Sequence, residues 1–204
     1  MGGRRRQARG ERRIAQLLDA TASVFCKSGY AATSMNAIAR EAGVSPGTLY
    51  QFFPNKEAIS ARLGERLLRQ MTEVHGRLVT DAEAALPLEA MLDAVLDPIL
   101  EFSLGNPAFT VLVHEPEGPG VLQAALRGQV EDVIARRAPE LPREQRVRVA
   151  TTAFAVLQTG LSLVARHEGA ERAAYADELK AALARYLVPA IGGEAGPVRR
   201  TGPA

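Results

Sequence analysis

Apolar residues recur at helical spacing along most of the chain, and β-branched residues do not cluster in alternating runs. From Arg12 to Ser28, one face of a predicted helix carries Ile14, Leu17, Leu18, Thr21, Val24 and Phe25. Spacing of i, i+3 and i+4 is typical of an amphipathic helix, and Gly29 is well placed to end it. The pattern therefore predicts an all-α protein.

Two short segments then predict a pair of helices joined by a tight turn. Residues 34–42 have the apolar spacing of a short helix, and Thr33 or Ser34 can cap its first turn. Gly43 lies in the turn, and Ser45 is a second N-cap before a proline at the first helical position, where its missing N–H costs nothing. Two helices around a short glycine-containing turn form the helix-turn-helix pattern.

The second helix of this pair carries more polar and aromatic side chains than the core can accept. Leu49 and Phe53 face the core, so the remaining side chains cannot all do so: Thr48, Tyr50, Gln51 and Phe52. Small residues at the start of such a helix, here Ser45 and Gly47, let its backbone approach DNA in a major groove about 12 Å wide. The pattern thus indicates DNA as the partner of the exposed residues. A helical interaction protein that does not touch DNA is the alternative.

Longer apolar helices are predicted beyond residue 80, giving about nine helices in total. Residues 143–167 are apolar on nearly every face and need cover on all sides, while residues 170–188 have one apolar face. We expect both to pair with their symmetry mates in an isologous dimer interface. The alternative is that both are buried within one subunit. No apolar segment is expected to reach the roughly 20 residues that span a bilayer.

The net charge of +2 is unevenly distributed. Residues 1–56 contain nine Lys or Arg against three Asp or Glu, a balance of +6, so the remainder carries −4. A basic N-terminal quarter suggests a polyanion partner for that part only. Residues 1–11 are expected to form a disordered basic arm that reaches DNA or serves only as a solubilising tail.

Composition and spacing argue against several other classes of protein. The single cysteine, Cys26, excludes an internal disulfide, fits a reducing cytoplasm and is predicted to be buried. We find no glycine-rich phosphate loop, no catalytic triad and no paired carboxylates, so no catalytic residue and no enzyme is predicted. The three histidines lie far apart in the sequence, and neither a metal site nor a cofactor is expected.

From about Arg12 to Ile59 the sequence resembles the tetracycline-repressor (TetR) family of bacterial regulators. The resemblance is carried by IAQLLDATASVFCKSGYAATSMNAIA and EAGVSPGTLYQFFPNKEAI. It implies that DNA is contacted by Thr33, Ser45, Pro46, Gly47, Thr48, Tyr50, Phe52 and Lys56. We add their polar neighbours Ser34 and Gln51 to the candidate DNA-binding residues. The family's usual Tyr-x-His-Phe sequence is Tyr50-Gln51-Phe52-Phe53 here, and a phenylalanine cannot donate to a phosphate as the histidine does.

The resemblance also implies a division of labour along the chain. Residues 12–56 would form the DNA-binding domain, residues 57–191 a ligand-binding and dimerisation domain, and residues 192–204 a disordered tail. Few charges lie on the apolar faces of the middle helices, so a small apolar ligand is expected in a cavity there. The candidate ligand-binding residues are Met71, His75, Phe102, Phe109, Leu112, Val113, His114 and Gln158.

The function implied is that of a cytoplasmic repressor. A homodimer would bind an inverted-repeat operator on double-stranded DNA, and a hydrophobic effector would release it. The alternative is a helix-turn-helix regulator whose core is simply filled and which has no small-molecule effector.

If the N-terminal arginines bind phosphates, deleting residues 1–10 should flatten the dependence of DNA affinity on salt. Each neutralised phosphate adds about 0.9 to the slope of log affinity against log salt concentration. The slope is measured by titrating fluorescent duplex DNA at several salt concentrations. An unchanged slope would show that these residues only keep the chain soluble.

Overall fold

The computed structural model describes residues 2–75, 80–115 and 120–191. These residues form ten helices, confirming the all-α class: α1 (Gly2–Ser28), α2 (Met35–Glu41), α3 (Pro46–Phe52), α4 (Lys56–His75), α5 (Asp81–Ala84), α6 (Leu88–Gly105), α7 (Pro107–His114), α8 (Val121–Arg137), α9 (Arg143–Ala165) and α10 (Gly169–Ile191). The helix that the apolar pattern does not predict is α5, a single turn closed by a capping box from Thr80 and Glu83. Four residues are too few to show a period.

Helices α1 to α3 form a three-helix unit around one small core. Leu17 and Phe25 of α1, Ile38 of α2 and Leu49 of α3 are fully buried in it. Between α2 and α3 the chain turns through Gly43, whose φ of +65° favours glycine. The predicted helix-turn-helix is therefore present.

Helix α4 joins this unit to the rest of the protein. Its first turn is capped by Asn55, whose side-chain oxygen accepts a hydrogen bond from the backbone N–H of Ala58 at 2.8 Å. The buried face of α4 includes Ile59, Leu63 and Met71. Because α4 contacts α1 as well as α7 and α8, one helix belongs to the cores of both regions.

The N-terminal residues differ from the predicted arm. The structure places residues 2–11 in the first turns of α1, which continues past the apolar face that predicted its start at Arg12. Arginine and glutamine are good helix formers, and no proline interrupts this segment. The predicted disordered tail at 192–204 lies outside the described residues.

Cys26 is exposed rather than buried. It follows Phe25, which has no exposed surface and directs α1 into the core. One residue along a helix turns the side chain by about 100°, which carries the thiol to the outside.

By length and composition, α9 could cross a bilayer, since its mean hydropathy reaches 1.4 over its most apolar stretch. The expectation that no apolar segment approaches this length is therefore wrong. Such a helix is weak evidence for a membrane, because core helices of soluble proteins meet the same criterion. Here Ala153, Leu157 and Leu161 of α9 are buried within the fold.

Helices α9 and α10 pack closely where Gly160 meets Leu179. A Cβ built on Gly160 would lie 2.7 Å from Leu179 Cδ2 and closer still to Cδ1, so no larger residue fits unless Leu179 moves. Leu179 is itself only 5% exposed, so its side chain can move aside only toward the open groove that both residues line.

Gly160→Ala should therefore destabilise the protein by about 1–3 kcal/mol, the usual cost of overpacking a core. Urea unfolding followed by circular dichroism measures the change. Gly128→Ala is the matched control, because a Cβ at Gly128 meets nothing within 4 Å and alanine is the better helix former. Equal stability of both variants would show that the contact between α9 and α10 is loose.

Candidate nucleic-acid interface and ligand cavity

The N-terminus of α3 is fixed by its own side chains. Ser45 Oγ accepts a hydrogen bond from the backbone N–H of Thr48 at 3.1 Å and lies 2.9 Å from Thr48 Oγ1. Pro46 occupies the first turn of the helix, and Leu49 anchors the inner face in the core. The outer face of this short helix is thus held in one orientation.

That outer face presents most of the residues predicted to contact DNA. Tyr50 is 50% exposed and Phe52 is 36% exposed, and Pro46, Gly47 and Gln51 are exposed beside them. We call the group Ser45, Pro46, Gly47, Thr48, Tyr50, Gln51 and Phe52 the α3 surface. A Cβ on Gly47 would meet only Ser45 Oγ, at 3.9 Å, so the helix start offers a close approach to its backbone.

Ser34 lies at the start of α2 and is exposed. Its hydroxyl oxygen accepts a hydrogen bond from the backbone N–H of Ala37 at 3.2 Å. Of the two candidate caps for α2, the structure therefore selects Ser34, whose hydroxyl hydrogen remains available to an acceptor.

Thr33 does not belong to an exposed surface. It is only 4% exposed, and its hydroxyl donates a 2.6 Å hydrogen bond to the carbonyl of Gly29 at the end of α1. Its hydroxyl is thus turned inward, and its contact with DNA stays a prediction. The physical reason is that the hydroxyl satisfies a carbonyl that α1 leaves free at its C-terminus.

Lys56 is half-buried and bound within the protein. Its Nζ donates to the backbone carbonyl of Tyr30 at 3.0 Å and lies 4.2 Å from the centroid of the Tyr30 ring. An ammonium has three donors, so these contacts position Lys56 at the start of α4 without using all of its hydrogens. Sequence spacing alone did not indicate the role of Tyr30.

The acidic residues of the N-terminal region are engaged by neighbouring groups. Hydrogen bonds from Lys27 and then Ser23, each 2.7 Å long, hold the pKa of Glu41 below its usual range. Asp19 pairs with Arg66 at 2.7 Å. Both carboxylates are therefore paired with nearby cations, and the charge balance of residues 1–56 remains +6.

A narrow apolar cavity lies between α6, α8, α9 and α10 and has a volume of about 70 Å³. Its wall includes Met91 and Leu96 of α6, Leu126 and Gln129 of α8, and Leu187 of α10. None of the eight residues predicted to bind ligand lines it. An apolar cavity is thus present, but the eight residues do not border it, and their part in ligand binding stays a prediction.

The predicted ligand residues lie elsewhere. Most belong to the core: Met71, Phe102, Phe109, Leu112 and Val113. Phe102 and Phe109 pack edge to face at 5.3 Å. His114 and Gln158 line an open groove beside α7, α8 and α9, where Gln158 Nε2 donates to the carbonyl of Val113. The side chain of His75 lies outside the described residues.

Lys180 of α10 binds two carboxylates of α6 on the outer side of the cavity. Its Nζ lies 2.9 Å from Asp93 and 2.6 Å from Asp97. Burial of the ammonium lowers its pKa, but hydrogen bonds and charge from both aspartates outweigh that effect and raise the pKa above the ordinary 10.5. The contact links two walls of the cavity.

Three helices with an exposed and capped third helix, followed by a larger helical region, define a helix-turn-helix DNA-binding regulator. Residues 17–63 match the model for bacterial regulatory proteins of the tetR family. Residues 87–187 match the tetracyclin repressor-like C-terminal domain. The chain belongs to the tetracycline-repressor family of transcriptional regulators.

Individual relatives agree with this assignment. The uncharacterized regulator YhgD of Bacillus subtilis is 35% identical over 86 residues, which are 42% of this chain and 44% of that protein. The transcriptional repressor KstR of Mycolicibacterium smegmatis is 48% identical over 50 residues, 24% of each chain. The matches thus span less than half of these relatives. A solved TetR-family regulator from Streptomyces coelicolor is 28% identical with a TM-score of 0.63, covering 87% of this chain and 99% of that one.

Replacing Lys180 by methionine should destabilise the protein by about 1 kcal/mol at neutral pH, because it leaves Asp93 and Asp97 facing each other without a cation. The raised lysine pKa means that the contribution is complete below pH 10.5 and is lost as the pH rises through the folded-state pKa. Urea unfolding of both proteins between pH 7 and 11 measures this convergence.

Arg148→Met is the control, since the Arg148–Glu144 pair is 3.8 Å apart and its side chains are 71% and 89% exposed. Little change is expected there. If both variants lost the same free energy of unfolding, the ion pairs of Lys180 with Asp93 and Asp97 would stabilise the protein no more than an exposed pair does.

Proposed function

We propose that this protein is a repressor that binds an inverted-repeat operator as a homodimer and leaves it when a small, mostly apolar effector binds. The exposed α3 surface carries the proposal, above all Tyr50, whose aromatic ring and hydroxyl stand half in solvent on a rigidly capped helix. Hydroxyl and amide groups there can bond to phosphates and base edges. The name of the relative KstR as a repressor supports the direction of control.

Dimerisation would use α9 and α10. The exposed side of α9 presents small and apolar residues, Thr152, Ala155 and Val156 among them, which line an open groove shared with Tyr175 and Ala182 of α10. Because one helix-turn-helix reads only a few base pairs, two copies spaced by about one DNA turn give useful affinity. A self-complementary contact between these helices would set that spacing.

Effector binding would act through α8 and α4. Leu126 of α8 lines the cavity, and one turn earlier Leu122 packs against Gly64 of α4, where an added Cβ would lie 3.6 Å from Leu122 Cβ. A ligand that moved α8 would therefore move α4, which begins next to α3. The effector must prefer the state that cannot bind DNA, and DNA must then weaken effector binding by the same factor.

A regulator without an effector is the second candidate. The cavity of about 70 Å³ is far below the roughly 300–1,000 Å³ of ordinary ligand pockets. In that case the helical region would serve dimerisation alone. A ligand-dependent thermal shift separates the two functions.

We further propose that the protein acts in the cytoplasm and has no catalytic activity. The relatives are named as regulators, and DNA is their common site of action. Substrate turnover by the purified protein would contradict this part of the proposal.

Tyr50→Ala should weaken operator binding at least tenfold, because a hydrogen bond to a charged phosphate is worth about 1.5–3 kcal/mol and occurs once per chain. The operator is first found by sequencing genomic fragments retained by the protein. Affinity and the number of chains per duplex are then measured by fluorescence anisotropy and light scattering.

Val74→Ala is the control, since Val74 of α4 is 71% exposed and removed along the helix from α3. It should bind the operator normally. Equal affinity of the Tyr50 variant and the wild type, or binding by single chains, would contradict the proposed function.

A further inference from the structure

Gln129 of α8 is the one polar residue in the wall of the apolar cavity, as far as the described residues go. The other lining residues are aliphatic or methionine side chains, such as Met91, Leu126 and Leu187. A polar group in such a wall normally has a partner.

The side-chain oxygen of Gln129 has none within the described parts of the chain. Oε1 is buried, from the cavity side as well as from solvent, and no donor of the described residues reaches it, so a ligand would meet it only as the cavity widens. Leaving a buried acceptor unpaired is unfavourable, because its hydrogen bonds to water are lost and not replaced. An apolar residue at position 129 would not leave an acceptor unpaired. Glutamine therefore makes the ligand-free protein less stable than an apolar residue would.

Water is a poor partner at this place. A buried water is held by about three hydrogen bonds to polar groups, and this wall offers a single amide. A ligand with one polar group and an apolar remainder matches the wall better, because its apolar part needs no hydrogen bond.

Two charged side chains on the helices that form the cavity are already engaged. Arg137 meets Met91 at one end, but its guanidinium donates to the backbone carbonyls of Ala84, Leu86 and Ile191 at 2.9, 2.6 and 3.2 Å. Lys180 is bound to two aspartates. A charged ligand group would therefore be buried without a counter-ion, which is strongly unfavourable.

We propose that Gln129 anchors the single hydroxyl group of an uncharged, otherwise apolar effector, an alcohol or a phenol. The hydroxyl donates to Oε1 and, unlike an ether, supplies the missing donor. This inference rests on the proposed function, because it names the chemical class of the effector that releases DNA.

The cavity is too small for such an effector, so it must widen when the effector binds at Gln129. Since a cavity of about 150 Å³ accommodates benzene, one of about 70 Å³ must widen for any such ligand. Met91 is unbranched and adaptable, and further widening would displace Leu126 with α8. A ligand bound at Gln129 thereby displaces α8, and α8 in turn displaces α4 through the contact between Leu122 and Gly64.

Calorimetric titration of the full chain with 1-octanol and with 1-methoxyheptane tests the proposal. The two probes are similar in size, but only the alcohol has a donor. We expect the alcohol to bind the wild type up to about tenfold tighter, the usual effect of one neutral hydrogen bond. Gln129→Leu should abolish that preference, while Gln145→Leu, at an exposed position of α9, should retain it. Octanoate and octylammonium should bind more weakly than the alcohol.

Equal binding of alcohol and ether, a preference that survives Gln129→Leu, or binding of neither probe would overturn the inference. The ligand-free stability of the variant provides an independent readout. Gln129→Leu should unfold at the same or higher urea concentration than wild type, because it removes an unpaired buried acceptor, and a clear loss would mean that Gln129 has a structural partner. Operator affinity of the same variant separates the two proposals: normal DNA binding without an alcohol preference leaves the repressor function standing.

Discussion

Burial of one face of α4 holds the helix-turn-helix unit and the larger helical region together. Ile59 and Leu63, near its start, and Met71, near its end, have no exposed surface, and the same helix packs on α1 and on α7 and α8. Neither side of the protein can move relative to α4 without exposing apolar surface, at roughly 25 cal/mol for each Å². Under the proposed function, a ligand-driven movement of the helical body would be passed through α4 to the helix-turn-helix as a rigid displacement.

Hydrogen bonds at the helix ends decide which residues of the N-terminal unit face outward. Ser45 and Ser34 use their oxygens as caps, while Thr33 uses its hydroxyl on the carbonyl of Gly29. Lys56 is held by Tyr30. Side chains that look equivalent in sequence thus divide into those that complete the fold and those, such as Tyr50 and Gln51, that remain available to a partner.

In the ligand region, the sequence pattern and the structure point to different residues. Phe102, Phe109, Leu112 and Val113 are apolar and lie near helix breaks, but they pack in the core around α7 and do not border the cavity. The observed cavity is bounded by α6, α8, α9 and α10. A cavity is the space left between packed helices, and its position depends on crossing angles and side-chain fit that no periodicity records. Gln129 has no distinguishing sequence signal, and its unpaired oxygen becomes visible only when its neighbours are in place.

Local sequence patterns are sufficient for the helical class, the helix-turn-helix, its glycine turn and the cap at Ser45, because these follow from periodicity and from the needs of free N–H groups at helix starts. They also identify most of the α3 surface, since Leu49 and Phe53 fix which face is inward. Only the tertiary structure decided that Thr33 is buried, that Cys26 is exposed, that residues 2–11 extend α1 and that the apolar cavity lies beside Gln129. Those outcomes depend on which surfaces meet across distant parts of the chain, and long-range packing is what a local pattern leaves open.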